Sequence, residues 1–429
     1  MEKIFINGGR PLQGEVSIDG AKNAVLALLA AAILCRDTVR LDNIPNISDV
    51  SIMLHILDEL GADVKRINKN CVEINTRHFH SGVVPHDLTK HFRASYYLLG
   101  ALFGRFGHAR VAMPGGCDLG LRPIDQHIRG FEALGAKVGF EENAVISLQS
   151  DQPMGSAIYL DMPSVGATIN IMLAAVRAMG NTIIEGAAKE PHVVDLANFL
   201  NSMGADVRGA GTDNIKIRGV KELHGCEYAC IPDQIEAGTY MVAAAASGGD
   251  VLVRGVIPKH METITAKLVE CGARIIEYDE ALHVTAPAGL RACKIKTSYH
   301  PAFPTDMQSQ FGAMLTTANG ISIINEGIFD NRFRYMDQLI RMGANVKVDG
   351  KVAVIEGVKA LRGAQVKCYD LRAGAAMVIA GLMAHGQTEI EDIEFIDRGY
   401  VDMVGKLRAM GAEISRRDIP EQHGLRNAG

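Results

Sequence analysis

The phrase Leu60-Gly61-Ala62-Asp63-Val64 is the stretch that decides the fold, because close variants of it recur along the whole chain. The glycine of the phrase stands at positions 61, 135, 204, 272, 343 and 411, at intervals of 68 to 74 residues. Each copy follows a segment with apolar residues at helical spacing and ends on the Val or Ile of a strand-like segment. We therefore predict that each glycine ends a helix in the left-handed conformation, which costs glycine no steric strain.

The remainder of each repeat recurs as well. A helix rich in small residues comes first, and a β-rich segment and a second helix follow it. The predicted first helices cover residues 24–34, 94–103, 167–178, 237–246, 308–318 and 373–384. After the Gly-Ala phrase come two more strands, so the predicted repeat is α-β-α-β-β over about 70 residues. The fold class is therefore α/β (α+β), built from repeats.

The two ends of the chain indicate how the repeats are grouped. The sixth repeat stops soon after Ile414, whereas two N-terminal strand segments, Ile4–Ile6 and Glu15–Ile18, have no preceding helix. We predict that these N-terminal strands complete the sixth repeat. Three repeats then form domain one, residues 21–230, and three form domain two, residues 1–20 plus 231–429, with a cleft able to hinge. An extended solenoid is the alternative, although solenoid repeats usually span 20–45 residues.

Composition excludes several classes of protein. The chain has 429 residues, 48% hydrophobic and 22% charged, with a net charge of −5, which is typical of a soluble globular protein. Nothing in this charge balance favours a nucleic-acid partner, and the longest apolar run, Ala24–Cys35, is too short to span a membrane. Eight cysteines show neither CxxC nor zinc-like clustering, so we expect reduced thiols, a cytoplasmic location and no metal.

A glycine-rich stretch, Pro114–Pro123, interrupts the second repeat. It holds Cys117 and Asp118 among three glycines and is longer than the equivalent connection in the other repeats. Pro123 suits a first helical position, which would place Arg122 at a helix entrance where free N–H groups attract anions. We expect this stretch to be a lid over a ligand; a flexible turn with a small buried cysteine is the alternative.

Polar residues collect at the predicted helix starts. Arg122 and Arg398 both stand thirteen residues before the repeat glycine, and Arg332 stands two residues past its equivalent position. A cation at a helix N-terminus opposes the macrodipole at a cost of about 0.3–1 kcal/mol. An anionic ligand shared by the helix end and the guanidinium would explain the placement, whereas a solvated surface arginine is the alternative for any one of them.

Together these residues resemble the UDP-N-acetylglucosamine 1-carboxyvinyltransferase family, an enolpyruvyl transferase family, over essentially the whole chain. The resemblance rests on Asp19-Gly-Ala-Lys-Asn-Ala24, the Cys117 loop ending in Arg122-Pro-Ile-Asp125, Pro163-Ser-Val-Gly-Ala-Thr168, Phe303-Pro-Thr-Asp306 and Asp397-Arg-Gly-Tyr400. It implies two similar domains, each an inside-out α/β barrel of three repeats. The related enolpyruvyl transferase that uses shikimate 3-phosphate shares this fold but not the cysteine loop.

The resemblance also implies an activity. That family transfers the enolpyruvyl group of phosphoenolpyruvate to the 3-hydroxyl of UDP-N-acetylglucosamine and releases phosphate, the first committed step of peptidoglycan synthesis, without a cofactor. By resemblance Cys117 is the acid, carries a covalent adduct and is the target of fosfomycin; an ordinary thiol is mostly protonated near neutrality. Asp306 is expected to be the base or to orient the hydroxyl, unless it is only a helix cap after Thr305. Asp370 is expected to assist.

The resemblance assigns two binding sets. The set implied for phosphoenolpyruvate is Lys22, Asn23, Arg122, Arg332, Arg372 and Arg398, of which Lys22 and Arg398 also count as catalytic. The set implied for the nucleotide sugar is Asn23, Arg93, Arg122, Pro123, Ile124, Asp125, Gln126, Ser164, Val165, Gly166, Asp306 and Ile328.

Three positions leave questions open. Met162 stands where some family members have a lysine that contacts the diphosphate, and His127 and His300 are either ligands or structural residues. A non-catalytic paralogue that binds the nucleotide sugar and the shikimate 3-phosphate enzyme remain the alternative functions.

Overall fold

The computed structural model describes residues 2–85, 93–112, 124–287 and 289–419, without the side chains of Arg93 and Asn143. Three predicted site residues, Cys117, Arg122 and Pro123, lie outside these ranges. The described residues divide between two compact units. The first unit is drawn from Ile18–Glu236 and Ser298–Pro304, and the second from Met1–Ser17, Ala237–Thr297 and Thr305–Gly429. The chain passes between them at 17/18, 236/237, 297/298 and 304/305, and the predicted domain boundaries at 20/21 and 230/231 stay predictions.

Strands and helices alternate along the described residues. The strands are β1 Glu2–Asn7, β2 Gln13–Ser17, β3 Thr38–Asp42, β4 Asp63–Asn68, β5 Cys71–Asn75, β6 His108–Ala112, β7 Lys137–Glu141, β8 Val145–Gln149, β9 Ala157–Tyr159, β10 Asn181–Glu185, β11 Asp206–Arg208, β12 Asn214–Arg218, β13 Glu227–Ala229, β14 Asp250–Arg254, β15 Arg274–Tyr278, β16 Ala281–Thr285, β17 Lys294–Lys296, β18 Ile321–Asn325, β19 Asn345–Asp349, β20 Val352–Glu356, β21 Gln365–Lys367, β22 Gln387–Glu391 and β23 Glu413–Asp418. The α-helices are α1 Lys22–Ala31, α2 Ser48–Glu59, α3 Tyr97–Phe106, α4 Asp125–Ala133, α5 Val165–Ala175, α6 Pro191–Ser202, α7 Gln234–Ala246, α8 Glu262–Glu270, α9 Gln308–Leu315, α10 Met336–Arg341, α11 Leu371–Met383, α12 Glu394–Asp397 and α13 Met403–Ala409.

The Gly-Ala phrase ends a helix in all six repeats, which confirms the prediction. The six glycines have φ between +87° and +101°. In each copy the glycine N–H bonds to the carbonyl three residues back, and the following alanine N–H bonds to the carbonyl five residues back. This is the Schellman motif, and the residue five back is a buried Leu or Phe in every copy, at 57, 131, 200, 268, 339 and 407.

Each repeat passes one short strand to the next repeat. In five of the six described sheets, three antiparallel strands are joined by one parallel edge strand that follows the preceding repeat: β9 beside β10, β13 beside β3, β17 beside β18, β21 beside β22 and β2 beside β14. In the sixth sheet, β6-β8-β7, Val83 forms a parallel bridge to Arg110 in the same position. The pairing of β13 with β3 closes the ring of three repeats in the first unit.

The N-terminal strands close the second unit in two different places. Strand β1 lies between β22 and β23, with Ile6 opposite Ile414, and therefore completes the sixth repeat as predicted. Strand β2 instead pairs with β14 of the fourth repeat, so the expectation that it completes the sixth repeat is wrong. The predicted five-element repeat did not include the short parallel edge strand that follows each repeat. Strand β2 is that edge strand for the sixth repeat, and it joins the sheet of the fourth repeat.

The first helix of each repeat forms the core of its unit. In α1, every residue except Asn23 is buried, and in α11 almost the whole helix is buried. The inner strands of the sheets, such as β8, β12 and β20, are buried on alternate residues, so one face of these strands packs on the helices and the other faces solvent. Helices therefore lie inside and sheets outside in each unit, in agreement with the inside-out arrangement that the resemblance implies.

The second helices begin later than the sequence spacing suggested. The position thirteen residues before the glycine starts a helix at Ser48 and Pro191, but α4 begins at Asp125 and α13 at Met403. Arg398 consequently follows the short helix α12 as its C-cap and does not open α13, so the predicted helix-entrance position is wrong. The cause is Asp402, whose carboxylate accepts the N–H of Gly405 at 3.0 Å and sets the start of α13.

Candidate active site

The second unit brings Asp306, Arg332 and Arg372 together. Asp306 lies in a 3₁₀ turn, Thr305–Met307, directly before α9. Its Oδ1 accepts from a terminal nitrogen of Arg332 at 3.0 Å, and its Oδ2 accepts from Nη2 and Nε of Arg372 at 3.1 and 3.3 Å. Met307 is the N-cap of α9 and no side chain caps that helix, so Asp306 is not a helix cap. The carboxylate is held by arginines.

The electrostatics keep Asp306 ionised. Burial alone would raise the pKa of Asp306, but the charges and hydrogen bonds of Arg372 and Arg332 outweigh it and hold that pKa well below its usual range. The Asp306 side chain is 28% exposed, whereas those of Arg332 and Arg372 are 2% and 5% exposed. Two buried cations thus contact one partly exposed carboxylate.

Glu326 folds the loop that carries Arg332. Its buried carboxylate accepts from the hydroxyl of Thr305 at 3.0 Å and from the backbone N–H groups of Ile328 and Phe329 at 2.9 and 3.2 Å. The guanidinium of Arg332 then lies 5.3 Å from the ring centroid of Phe329. Sequence reasoning missed Glu326, and its position directly after β18 is the signal that could have identified it.

Asp370 positions Arg372 by capping α11. Its side chain accepts from the backbone N–H groups of Arg372 at 2.7 Å and Ala373 at 2.9 Å. Accepting the free N–H groups of the first helical turn is the usual function of an aspartate at the N-cap position. Arg372 therefore occupies the first turn of the helix, with its guanidinium directed at Asp306.

In the first unit, Lys22 makes a buried ion pair. Lys22 opens α1, and its Nζ lies 2.7 Å from Oδ2 of Asp49 in the first turn of α2. The two side chains are 10% and 4% exposed. The backbone N–H of Lys22 also donates to Asp233 at 3.1 Å, and Asn23 beside it is half-buried. Asp49 was missed by sequence reasoning, although an acidic residue in a helix first turn is a recognisable signal.

The residues expected around the nucleotide sugar lie at two helix starts of the first unit. Ser164 caps α5 and accepts from the N–H of Ala167 at 3.3 Å, with Val165 and Gly166 in the first turn. Ile124 and Asp125 open α4, followed by the buried Gln126, whose Oε1 has no hydrogen-bond partner among the described residues. The two starts are in contact, because a Cβ on Gly166 would lie 2.7 Å from Nε2 of His127.

The histidines and Met162 have identifiable neighbours. The ring of His127 lies 6.0 Å from that of Tyr96, and the backbone N–H of His300 donates to Glu190 at 3.5 Å. Met162 is exposed, and the hydroxyl of Tyr299 lies 3.5 Å from its sulfur. Arg93 begins a 3₁₀ turn, Arg93–Tyr96.

Two general properties of the described residues bear on the chemistry. No group of three or more His, Cys, Asp or Glu side chains in the described ranges is arranged to hold a metal ion. Within the same ranges, none of the helices has the length and apolar character needed to cross a membrane.

Comparison with known proteins gives concordant matches. The family model for EPSP synthase (3-phosphoshikimate 1-carboxyvinyltransferase) matches residues 6–407. A protein of Clostridium botulinum (strain ATCC 19397 / Type A) named UDP-N-acetylglucosamine 1-carboxyvinyltransferase is 54% identical over 97% of this chain and 100% of its own length. A protein of Caldanaerobacter subterraneus named UDP-N-acetylglucosamine 1-carboxyvinyltransferase 3 is 55% identical over 97% of this chain and 99% of its own.

Solved structures support the fold. The enolpyruvyl transferase NikO from Streptomyces tendae matches with a TM-score of 0.89 at 24% identity, over 98% of this chain and 99% of that one. An EPSP synthase from Acinetobacter baumannii matches with a TM-score of 0.75 at 18% identity, over 97% and 100%. Repeat architecture, sequence and fold agree, and the chain belongs to the EPSP synthase (3-phosphoshikimate 1-carboxyvinyltransferase) family of enolpyruvyl transferases.

Proposed function

We propose that this chain is a UDP-N-acetylglucosamine 1-carboxyvinyltransferase, which transfers the enolpyruvyl group of phosphoenolpyruvate to the sugar 3-hydroxyl and releases phosphate. The observation that carries the proposal is the identity of 54–55% with relatives of that name over 97% of this chain. The reaction belongs to peptidoglycan synthesis in the cytoplasm. The family model is named for the shikimate 3-phosphate enzyme, so that reaction is the second candidate.

The reaction needs an acid, a base and cations, and the described residues supply the cations and a carboxylate that orients the hydroxyl. An acid protonates the methylene carbon of phosphoenolpyruvate while the sugar oxygen bonds to the adjacent carbon. Loss of phosphate and of one proton from the new methyl group then restores the double bond. Asp306, kept ionised by its arginines, is suited to orient the sugar hydroxyl by accepting its hydrogen bond, although its lowered pKa makes it a weak base, and Arg332 and Arg372 supply positive charge.

Other roles in the reaction are proposed from the resemblance. Cys117 is proposed as the acid, with Arg122, Lys22, Asn23 and Arg398 completing the anion site. The proposed nucleotide-sugar positions are Arg93, Pro123, Ile124, Asp125, Gln126, Ser164, Val165, Gly166 and Ile328. The ion pair of Lys22 with Asp49 implies that an arriving phosphate competes with a carboxylate for that ammonium group.

Phosphate release tests the proposal directly. Purified protein with phosphoenolpyruvate and UDP-N-acetylglucosamine should release phosphate, and shikimate 3-phosphate in place of the nucleotide sugar should not support release. Phosphate release from phosphoenolpyruvate with shikimate 3-phosphate but not with the nucleotide sugar would favour the second candidate. Binding of the nucleotide sugar without any release would identify a non-catalytic paralogue. Cys117→Ser is expected to lose activity, and Cys117→Asp to retain part of it, because a carboxyl group can still donate a proton.

A further inference from the structure

A buried hydrogen-bond network lies behind Arg372 in the second unit. Arg372 uses Nε and Nη2 for Asp306, and its Nη1 donates to the hydroxyl of Tyr400 at 3.3 Å. The Tyr400 hydroxyl lies 3.0 Å from the hydroxyl of Thr239, and Nε2 of Gln310 donates to Thr239 at 3.1 Å. The ring of Tyr400 also lies 5.6 Å from the Arg372 guanidinium carbon.

The polarity of this network is fixed by the groups that can only donate. An arginine has no acceptor, so the Tyr400 oxygen must accept from Arg372 and its own proton is available to Thr239. The amide of Gln310 is oriented by the hydroxyl of Ser309, which donates to Oε1 at 3.0 Å and leaves Nε2 to donate to Thr239 and, at 3.4 Å, to the Tyr400 hydroxyl. Each member therefore fixes the next, and the chain of contacts ends at the guanidinium.

The network joins the three central helices of the unit. Thr239 lies in α7, Ser309 and Gln310 in α9 and Arg372 in α11, and all four residues are buried. Tyr400 follows α12 and is 3% exposed. A rigid, satisfied network of this kind in a helical core holds a side chain in one geometry more firmly than a single contact does.

We propose that Tyr400, supported by Thr239 and Gln310, is a positioning residue that holds Arg372 against Asp306 and so keeps the site ready for its anionic substrate. The inference rests on the proposed function and extends it to residues that do not touch the substrate. The hydroxyl of Tyr400 is the group through which Thr239 and Gln310 of the neighbouring helices reach the guanidinium of Arg372.

The charged groups around Asp306 define the expected pH effect. Arg332 and Arg372 face it directly, Glu326 lies behind Thr305, Asp370 caps α11 and the Tyr335 hydroxyl lies near Arg332. Because the two arginines lower the pKa of Asp306 against the effect of burial, a less firmly held Arg372 raises that pKa. The acidic limb of activity then moves to higher pH, since the carboxylate is protonated earlier.

The variant Tyr400→Phe removes only the hydroxyl. We expect kcat/KM for phosphoenolpyruvate to fall about tenfold at pH 8, as for a lost hydrogen bond to a charged group. The ratio of variant to wild-type kcat/KM, which cancels the ionisation of the substrate, should stay constant from pH 8 to pH 5 and fall further only below about pH 4, where Asp306 is protonated earlier in the variant. Thr239→Val should act in the same direction and Thr239→Ser should restore most of the rate. A ratio within twofold of one at every pH, or an equal loss at every pH, would overturn the proposal.

The matched control is Tyr278→Phe. Tyr278 lies in β15 of the same unit and is 52% exposed, so the loss of its hydroxyl should leave the pH profile unchanged. A second measurement needs no substrate: because a smaller difference between the folded and unfolded pKa of Asp306 leaves less stability to lose on acidification, the fall in urea midpoint between pH 7 and pH 2 should be smaller for Tyr400→Phe than for the wild type. An unchanged profile contradicts the positioning of Asp306, whereas absence of phosphate release by wild-type protein contradicts the proposed function.

Discussion

At the scale of single residues, Asp306 carries the chemistry that the described part of the site can support. It is the one predicted catalytic residue whose carboxylate the structure shows held between two arginines. Asp370, also predicted to be catalytic, has its carboxylate engaged by two backbone N–H groups. Asp306 is therefore an ionised carboxylate that can accept a hydrogen bond from a hydroxyl, whereas Asp370 has the geometry of a cap.

The variant Asp306→Asn tests this assignment. The amide keeps the shape of the side chain but removes its charge and most of its basicity, so kcat is expected to fall about 100-fold or more. Asp330→Asn is the control, because the side chain of Asp330 is 57% exposed and pairs with Lys351, and the kcat of this variant should stay within twofold of the wild type. Equal phosphate-release rates for the two variants would contradict a catalytic Asp306.

Asp195 in α6 is a buried acid outside the site, and it should affect stability. It is 1% exposed, accepts the hydroxyl of Tyr228 at 2.6 Å, and burial raises its pKa to about 6. The unfolded value is about 3.9, so the folded state binds more protons between these two pH values. The contribution of Asp195 to stability therefore declines as pH rises from about 4 to 6, by about 3 kcal/mol in all.

Asp195→Asn should remove that decline while keeping an acceptor for Tyr228. Urea unfolding at pH 4.5 and pH 7.5 should show the variant gaining stability over the wild type mainly at pH 7.5. Asp213→Asn, at an exposed carboxylate paired with Lys189, should differ from the wild type equally at both pH values. An Asp195→Asn variant with the same offset at both pH values would refute the raised pKa.

At the scale of elements, the six Schellman motifs stop the second helices at the same point of every repeat. The motif is local, since the glycine, the alanine and the two accepting carbonyls lie within six residues. Its requirements are a positive φ and a buried apolar residue five positions before the alanine. The sequence displays both, which is why the helix ends were predicted more accurately than the helix starts.

A substitution at Gly343 tests the effect of the left-handed backbone conformation separately from any steric clash. The φ of Gly343 is +95° and a Cβ added there would have no atom within 4 Å, so Gly343→Ala adds backbone strain without a steric clash. We expect the free energy of unfolding to fall by about 1–2 kcal/mol. Gly343→Asn should cost less, because asparagine tolerates the left-handed region better. Equal urea midpoints for the Ala and Asn variants would contradict the strain argument.

At the scale of the whole molecule, the two ends of the chain form one sheet. Strand β1 pairs with β22 and β23, so residues from the start of the chain supply a central strand of the last repeat. Strand β2 then continues to β14 and links the last repeat to the fourth. The second unit therefore depends on residues more than 200 positions away from most of its sequence.

Ile6 in β1 tests that dependence. It is fully buried, and Ile6→Ala should lower the free energy of unfolding of the second unit by about 2–5 kcal/mol through lost burial and a cavity. Ile321→Ala is matched to it, because Ile321 lies on a strand of the same unit but is 60% exposed, and its change should stay near 0.5 kcal/mol. Similar urea midpoints for the two variants would argue against a central β1.

The sequence by itself determined the features that depend on neighbouring residues. The period of the Gly-Ala phrase, the left-handed glycines, the six buried first helices and the α/β class all follow from local conformation and from hydrophobic spacing. The family resemblance added the candidate residues, including Asp306, Arg332 and Arg372. Sequence spacing misplaced Arg398, because a side-chain cap at Asp402 and not the repeat length sets the start of α13.

Only the tertiary structure decided which distant groups meet. The pairing of Asp306 with two particular arginines, the ion pair of Lys22 with Asp49, and the partner of β2 join segments that are separated in the sequence. Such contacts are determined by packing and by the need to pair buried charges. The partner of a charged residue therefore cannot be read from the sequence around it. The roles of Tyr400 and Glu326 were hidden for the same reason, since each acts through a neighbour that folding brings to it.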